Sequence, residues 1–268
     1  MRRVHPRSLT GLLPQPARFA LRRAIFHGDA ETCPLCLCRS RGYRAHGSDI
    51  PVLTQRRVVG GVRREADRCP VCHARDRTRL MALYLDLFGA LDRPGRQILH
   101  VAPDFGLYLW LARHDGMNYT ACDIDASRYR HIPGAVTADL TCTPFNDNSF
   151  DIVICSHVLE HIPDDRAAMA EILRIMKPGG MALLLVPLAT DGGQTDEDPT
   201  VTEASEREAR FGQWDHVRLY ERNDFLSRLR EVGFEVELFA PAQSDPASVV
   251  TWKLNPLEVL PVARRTLD

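Results

Sequence analysis

FDIVICSHVLEHIPDDRAAMAEILRIMKPGGMALLLVP, residues 150–187, is the stretch of sequence that decides the fold. Two short apolar runs, FDIVIC and MALLLV, are typical of strands, and between them DRAAMAEILRIM carries apolar residues at helical spacing. The stretch therefore predicts a strand, a helix and a second strand in succession, which is the repeating unit of a parallel sheet.

The same alternation extends in both directions. RTRLMALYLDLFGAL predicts an amphipathic helix, the segments QILHVA, NYTACD and AVTAD predict strands, and FGLYLWLARH predicts a helix between them. Further on, ERNDFLSRLREVG is typical of a helix, while GFEVELFA and SVVTWKLN are strand-like and are expected to finish the sheet. The predicted fold class is α/β, a doubly wound and mostly parallel Rossmann-like sheet. Such a sheet binds ligands where the first strand's turn opens a helix, which is residues 100–106 here.

Composition excludes several classes of protein. A chain of 268 residues with 44% hydrophobic content buries a full core, so a disordered chain is excluded. The sequence has no run of eighteen apolar residues and no signal-peptide pattern near its start, so we expect a soluble, cytoplasmic protein without a transmembrane segment. The 8 cysteines are unevenly spaced, which favours reduced thiols and a metal over a disulfide scaffold.

Two CPxC pairs, Cys33 with Cys36 and Cys69 with Cys72, predict a zinc-ribbon-like module. Each turn presents two thiolates, and the segment between the pairs is suited to a hairpin that brings them together. Four thiolate ligands close the coordination sphere, so the zinc ion would be structural; a redox or unmetallated pair is the alternative. Cys38 and His73 are spare donors. Zinc knuckles usually carry glycine after the second cysteine, whereas this chain has Leu37 and His73 there.

These features divide the chain into a basic amino-terminal arm (residues 1–31), the zinc-ribbon-like module (32–78) and a larger α/β domain (79–268). The arm contains one amphipathic segment, PARFALRRAIF, which is either a helix or a frayed arm. Residues 1–80 contain 17 Arg and only 6 acidic residues, although the whole chain has a net charge of −1. The basic part either contacts an anionic partner such as nucleic acid or attracts the acidic remainder of the chain.

Two segments carry a family resemblance: VTADLTCTPFNDNSFDIVICSHVLEHIPDD (136–165) and LRIMKPGGMALLLVP (173–187). They resemble the class I S-adenosylmethionine-dependent methyltransferases, and the resemblance covers residues 96–187. Within this superfamily the chain is similar to a bacterial subgroup of small-molecule-type domains that begin with a CPxC pair and later show an FGQWDHVR-like stretch, here residues 211–218. The resemblance implies that residues 79–268 bind S-adenosyl-L-methionine and that the sheet ends in an antiparallel edge pair.

The resemblance also implies which residues bind the cofactor. Asp123, with Asp125 beside it, matches the ribose-binding position, and Asp139 with Leu140 matches the adenine contact; both aspartates are otherwise ordinary turn or capping residues. Ser156 and His157, after Cys155, match the lining of the methionine end and of the methyl-transfer channel. These positions join the residues of the turn after the first strand, described next.

The turn after the first strand departs from the family pattern. It is HVAPDFG, residues 100–106, and Gly106 alone remains of the usual glycines. Small Ala102 permits close approach, and Asp104 begins a helix whose free N–H groups suit the cofactor's carboxylate. We therefore predict His100, Ala102, Asp104 and Gly106 in the cofactor site. A methyltransferase that had lost cofactor binding would show the same substitution.

Methyl transfer from a sulfonium needs a general base for some acceptors only. We predict His157 and His216 as the catalytic candidates; Glu160, His161 and Asp215 are further candidates. Although HVLEH has the spacing of a metal site, the segment is common in the family as a structural one, and we predict no metal there. The segment with Trp214, His216, Arg218 and Tyr220 either binds an anionic or sugar-like acceptor or caps the sheet and packs on the zinc module.

The acidic tract DGGQTDEDPTVTEASEREAR, residues 191–210, predicts a mobile loop or lid, or a solvated inert segment. The favoured function is an S-adenosylmethionine-dependent methyltransferase with a small-molecule, carbohydrate or lipid-type acceptor. An RNA methyltransferase is the alternative indicated by the zinc module and the arginines, and nucleic acid is the less favoured partner. A noncatalytic cofactor-binding or regulatory protein is the third hypothesis, indicated by the altered turn.

Overall fold

A computed structural model describes residues 14–267, so the first thirteen residues of the predicted basic arm lie outside the described part of the chain. The amino-terminal elements surround the cysteine pairs. They are α1 (Gln15–Ile25), β1 (Glu31–Thr32), β2 (Arg39–Ser40), β3 (Arg44–His46), α2 (Pro51–Gln55) and β4 (Arg64–Arg68). β1 pairs with β2, and β3 pairs with β4, both antiparallel. The β3–β4 pair is the hairpin that was expected to bring the two CPxC turns together.

The later elements build the central sheet, its helices and one insertion. They are α3 (Asp76–Leu87), β5 (Gln97–Val101), α4 (Phe105–Leu111), β6 (Asn118–Asp123), β7 (Val136–Thr137), β8 (Phe150–Ser156), α5 (Asp165–Ile175), β9 (Met176–Leu185), β10 (Leu188–Ala189), β11 (Asp196–Glu197), α6 (Ala204–Phe211), β12 (Arg218–Glu221), α7 (Arg222–Val232), β13 (Glu235–Phe239), α8 (Pro241–Ser244), α9 (Pro246–Thr251) and β14 (Leu260–Arg264). Short 3-10 helices cover Ala126–Tyr129 and Leu159–His161.

The central sheet has seven strands in the order β13-β14-β9-β8-β5-β6-β7. β14 runs antiparallel to both of its neighbours, and the other pairs, from β9 to β7, are parallel. β5 pairs with β6 on one side and with β8 on the other, so the strand order reverses at β5. The predicted doubly wound fold is confirmed, and the crevice at the carboxyl ends of β5, β6 and β8 is where such a sheet binds ligands.

Both faces of the sheet are buried, which explains why its strands are continuous apolar runs. Alternate residues point to opposite faces: Ile98 and Ile152 belong to one core, while Leu99 and Val153 belong to the other. The first core includes α3, α4 and the cysteine module, and the second includes α5 and α7. The cysteine module therefore shares a hydrophobic core with the sheet and does not form a separate one.

Helix α1 is the amphipathic helix expected within the basic arm. Phe19 and Phe26 pack against the first core, and Arg22 Nε donates a hydrogen bond to the carbonyl oxygen of Val71 at 2.7 Å. These contacts hold α1 against the second CPxC turn.

Arg79 joins three parts of the chain. Its side chain is fully buried, and it donates hydrogen bonds to the carbonyl oxygens of Asp67, Ala74, Trp252 and Lys253 at 2.6–3.0 Å. The cysteine module, helix α3 and the segment after α9 therefore meet at one guanidinium group.

The acidic tract is folded and ion-paired, in contrast to the predicted loop or lid. It contributes β11, which pairs with β12, and helix α6. Glu197 accepts hydrogen bonds from Arg228 at 2.7 Å and Arg218 at 2.9 Å, and these partners lower the pKa of Glu197 to about 2. Arg210 pairs with Asp196 at 2.6 Å. The charge pattern was seen in the sequence, but its arginine partners lie elsewhere in the chain.

One strand prediction near the carboxyl terminus is wrong. SVVTWKLN falls mostly in α9, and the strand that pairs with β13 and β9 is Leu260–Arg264. Pro246 is the first residue of α9, where its fixed φ favours a helix start, and this local signal prevails over the β propensity of Val249 and Val250. Within residues 14–267, none of the helices combines the length and apolar character needed to cross a bilayer.

Candidate functional site

The turn after β5 is built from a strained residue and a capped helix. Ala102 has φ of 47°, a left-handed conformation that is uncommon for residues other than glycine. Asp104 caps α4 by accepting a hydrogen bond from the N–H of Gly106 at 2.9 Å. The chain therefore makes the tight turn expected at this edge without the usual glycines.

Gly106 and His100 support this turn from below. A Cβ added at Gly106 would lie 2.7 Å from the Cβ of Ala74, which follows the second CPxC turn. The buried ring of His100 contacts the Tyr119 hydroxyl at 3.0 Å, and the N–H of Asp104 donates to its Nε2 at 3.4 Å. Burial lowers the pKa of His100 to about 3, so the ring is neutral. The contacts found for these two side chains are internal ones.

A cavity of about 460 Å³, here called the strand-end cavity, opens at the carboxyl ends of β5, β6 and β7. Its lining includes Ala102, Asp123, Asp139, Leu140 and His161. Asp123 is 7% exposed, and its Oδ1 accepts a hydrogen bond from the N–H of Asp125 at 2.8 Å, which orients the carboxylate. The volume lies within the range of small-molecule and cofactor sites.

Asp139 stands at the far side of the strand-end cavity. Its Oδ1 accepts hydrogen bonds from the N–H and hydroxyl of Thr141 at 2.8 and 2.7 Å, and these contacts lower the pKa of Asp139. Leu140 beside it is 5% exposed. A fixed acceptor next to an apolar surface is suited to the edge and face of an aromatic heterocycle.

The chain leaves β8 through a second strained residue, His157, with φ of 56°. The ring of His157 lines a cavity of about 330 Å³, here called the inner chamber. The other residues that line it are His46, Gly47, Ser48, Leu53, Gly60, Gly61, Arg75, Arg77, Glu160, His161, Pro187, Gly212, Gln213 and His216. His161 lines the strand-end cavity as well, so the two cavities adjoin at this residue.

The β3–β4 hairpin forms one wall of the inner chamber. A Cβ at Gly60 would lie 3.6 Å from Nε2 of His157, so the loop of this hairpin passes close to the end of β8. A further cavity of about 590 Å³, the outer chamber, shares Gly60, Gly61 and Arg77 with the inner one. It adds apolar residues such as Val58 and Val62. A segment of the cysteine module thus encloses the space beside the sheet.

The inner chamber contains buried ionisable groups. Glu160 is 1% exposed, and burial raises its pKa to about 8. Burial lowers the pKa of His216 to about 4 and that of His157 well below its usual range, so both imidazoles are neutral. Arg75 and Arg77 add positive charge to the lining.

The four predicted cysteine ligands converge. Sγ of Cys33 lies 3.7 Å from that of Cys72, and Sγ of Cys36 lies 3.9 Å from that of Cys69. A tetrahedral zinc ion with bonds of about 2.3 Å to sulfur separates its ligands by about 3.8 Å, so the thiols fit such an ion. Leu37 and His73, which replace the usual glycines, have φ of 59° and 66° and form the same turn. Cys38 donates a long hydrogen bond to the Cys36 carbonyl and is not part of the cluster.

The structure brings together most of the predicted cofactor residues. Ala102, Asp123, Asp139 and Leu140 line the strand-end cavity, and the catalytic candidates His157 and His216 line the inner chamber. The other four predicted residues, His100, Asp104, Gly106 and Ser156, are not in either lining. Their roles stay predictions.

Several residues of the linings were not identified from the sequence. Arg75 and Arg77 were read as part of a general basic region, and His46, Gly60 and Gly61 as part of a hairpin. A signal was present in Gly60-Gly61 next to two valines, since a glycine pair permits close approach of a backbone to another group. Which group it approaches depends on tertiary structure.

Comparisons with known proteins identify the central segment. Residues 99–184 match the methyltransferase domain family. An uncharacterized methyltransferase of Mycobacterium sp. (strain KMS) is 34% identical over 112 residues, which are 38% of this chain and 44% of the relative. A demethylmenaquinone methyltransferase of Renibacterium salmoninarum is 34% identical over 108 residues, 38% of this chain and 45% of the relative. The chain thus spans less than half of the length of these curated relatives.

A solved structure supports the fold. The [4+2]-cyclase SpnF is similar with a TM-score of 0.50 at 18% identity, over 71% of this chain and 82% of that one. Its name describes a cyclase, so this likeness supports the architecture and not an activity. Together with the strand order of the sheet, the match shows that residues 99–184 form a methyltransferase domain with the fold of the class I S-adenosylmethionine-dependent methyltransferases.

Proposed function

We propose that this protein transfers a methyl group from S-adenosyl-L-methionine to a small-molecule, carbohydrate or lipid-type acceptor. The observation that carries the proposal is the meeting of two cavities at His161, one at the strand ends of the methyltransferase domain and one beside it. A methyl transfer requires donor and acceptor in line and shielded from water, which two adjoining cavities provide.

The strand-end cavity is proposed as the donor site. Asp123 would accept hydrogen bonds from the ribose hydroxyls, and Asp139 with Leu140 would contact the adenine ring. Tyr129 closes the side of Asp123; burial and this carboxylate raise the pKa of Tyr129, so its hydroxyl stays protonated and can donate. When bound, the cofactor supplies an already activated methyl group.

The inner chamber is proposed as the acceptor site. Arg75 and Arg77 favour an acceptor with an anionic or strongly polar group, while the outer chamber offers apolar surface at Val58 and Val62 for a larger body. The Renibacterium relative is named for a lipid-type quinone acceptor, which agrees with an acceptor of mixed polarity. His157 and His216 are proposed to contact the acceptor, and their neutral rings can accept a proton.

The fate of the arginines weighs against an RNA acceptor. Arg56 pairs with Asp191 at 2.6 Å, Arg64 pairs with Asp76, and Arg79 is fully buried. These side chains contact the acidic remainder of the same chain, as one reading of the charge asymmetry expected. Guanidinium groups engaged in this way are not available to phosphates.

We also propose that Cys33, Cys36, Cys69 and Cys72 bind a structural zinc ion. The support is the sulfur spacing given above and the burial of three of the four residues. The ion would hold the β3–β4 hairpin against the inner chamber. The cytoplasmic location expected from the sequence stays a prediction.

The deciding experiment is calorimetric titration of S-adenosylmethionine and S-adenosylhomocysteine into the zinc-loaded protein. Asp123→Ala should weaken binding by about 100-fold, because a charged acceptor of two hydrogen bonds is lost. The matched control is Asp125→Ala, which removes a neighbouring exposed carboxylate. Absence of binding to the wild-type protein would favour the noncatalytic alternative, and equal losses in both variants would contradict the assigned ribose contact. Binding would justify a screen of acceptors that includes RNA.

A further inference from the structure

Glu160 is a buried carboxyl group whose charge is not neutralised. Neither of its oxygens receives a hydrogen bond from another residue in the part of the chain that the structure describes. A carboxylate removed from water costs several kcal/mol unless it gains a proton or a cation. Arg77 lines the same chamber but forms no hydrogen bond with Glu160. The site therefore has room and need for a positive charge.

Imidazole groups surround this carboxyl group. Nε2 of His216 lies 4.0 Å from Oε1 of Glu160, and the rings of His161 and His216 are 4.7 Å apart in an edge-to-face arrangement. Donor atoms of Glu160, His161 and His216 all lie within 4.8 Å of one another. His157 Nδ1 is 3.2 Å from Oε1 of Glu160, and its Nε2 is buried without a partner.

Both histidines of the cluster are oriented from behind by backbone carbonyl groups. Nδ1 of His216 lies 3.1 Å from the carbonyl oxygen of Phe211, and Nδ1 of His161 lies 3.3 Å from that of Asp215. A carbonyl oxygen only accepts, so each Nδ1 carries the proton and each Nε2 presents a lone pair. Histidines that bind metals are held in this way, with the second ring nitrogen donating to a carbonyl or carboxylate.

We propose that Glu160, His161 and His216 bind a divalent first-row transition-metal ion, separate from the four-cysteine site. Two imidazoles and one carboxylate form a ligand set that such ions prefer, and three protein ligands leave coordination positions open. The open positions face the inner chamber, because all three residues line it. The helical spacing of His157 and His161 alone did not predict this site; His216, which follows α6, completes it.

A role for the ion in the reaction rests on the proposed function, whereas its binding does not. His161 also lines the strand-end cavity, so an oxygen or nitrogen atom of the acceptor bound to the ion would be held toward the donor. Coordination would lower the pKa of an acceptor hydroxyl and favour its loss of a proton.

Cobalt(II) is the probe that tests the proposal, because it reports sulfur and nitrogen ligands differently. Metal-free protein is titrated with Co2+, and the metal content is measured after removal of excess ion. We expect a first equivalent with strong thiolate charge-transfer absorption and a second with weak d–d absorption only. His216→Ala and His161→Ala should weaken the second ion by at least about tenfold, since a ligand loss costs no less than an outer-shell change.

His114→Ala is the matched control, since it removes an imidazole at the end of α4, outside the cluster, and should keep both ions. Glu160→Gln keeps the side-chain shape and should lose the second ion while retaining the thiolate absorption, which shows that the variant is folded. A single thiolate-bound equivalent in the wild type would overturn the second site and leave the zinc proposal standing. A second equivalent that survives in all three cluster variants would also overturn it.

Discussion

Replacement of Gly106 by alanine tests whether the cysteine module supports the turn after β5. The added Cβ would lie 2.7 Å from Ala74 Cβ and 3.1 Å from Ala74 Cα, whereas ordinary contacts begin near 3.4 Å. Ala74 is fully buried, and its carbonyl accepts a hydrogen bond from the N–H of Cys69 at 2.9 Å. Relief by about 0.7 Å would therefore shift either α4 or the second CPxC turn.

The expected cost follows from two opposing effects. Overpacking of a dense core costs about 1–3 kcal/mol, while alanine is favoured over glycine within a helix by about 0.5–1 kcal/mol. The free energy of unfolding should thus fall by about 1–2 kcal/mol in Gly106→Ala. In an Ala74→Gly background the nearest Cβ is absent, so the same substitution should be close to neutral there.

A double-mutant cycle by urea unfolding of the zinc-loaded protein measures this difference. The four proteins are the wild type, each single variant and the pair, and the expected coupling free energy is about 1–2 kcal/mol. Additive effects, with Gly106→Ala equally costly in both backgrounds, would refute the close contact between α4 and the CPxC turn.

Three further predictions concern stability and the link between the two sites. His100 has a pKa lowered to about 3, so the unfolded chain takes up its proton first and stability falls as the pH drops below about 6.5. Between pH 8 and 5.5 the wild type should lose about 1.4 kcal/mol more than His100→Gln in urea unfolding. The exposed His27→Gln is the control, and equal pH slopes in the wild type and His100→Gln would contradict a neutral buried ring. Arg79→Met should cost about 3–5 kcal/mol by the same assay, because Asp67 loses its buried partner, whereas the exposed Arg93→Met should have little effect; a small loss at Arg79 would show that its hydrogen bonds are replaceable. Cys72→Ser should lower the zinc content measured by mass spectrometry and also weaken S-adenosylmethionine binding in calorimetry, since the turn that supports α4 is loosened. Unchanged affinity in zinc-poor protein would separate the two sites.

The central sheet was predictable from sequence because its strands are buried on both faces. Runs such as QILHV and DIVIC carry a strong local signal that tertiary structure does not reverse. SVVTWKLN failed because Pro246 starts a helix just before residues of high β propensity. The acidic tract gave no such signal: Glu197 is held by Arg218 and Arg228, more than twenty residues away.

The candidate site was predictable in one half only. Asp123 and Asp139 follow strands directly, so their place at the sheet's edge was fixed by the strand prediction. The inner chamber joins Gly60, Arg77, Glu160 and His216, which come from four distant segments. No spacing rule connects residues so far apart, and their meeting depends on how the cysteine module packs against the sheet.

The walls of the inner chamber bear on what kinship can reveal. The segment shared with the methyltransferase domain family, residues 99–184, supplies the donor half, whereas His46, Arg77 and His216 lie outside it. A name passed along this shared segment carries information about the donor and little about the acceptor. Two chains alike over these residues can therefore differ in the molecule they modify, and a change of acceptor in evolution would need substitutions in the hairpin loop and in residues 187–216 while the sheet stays the same.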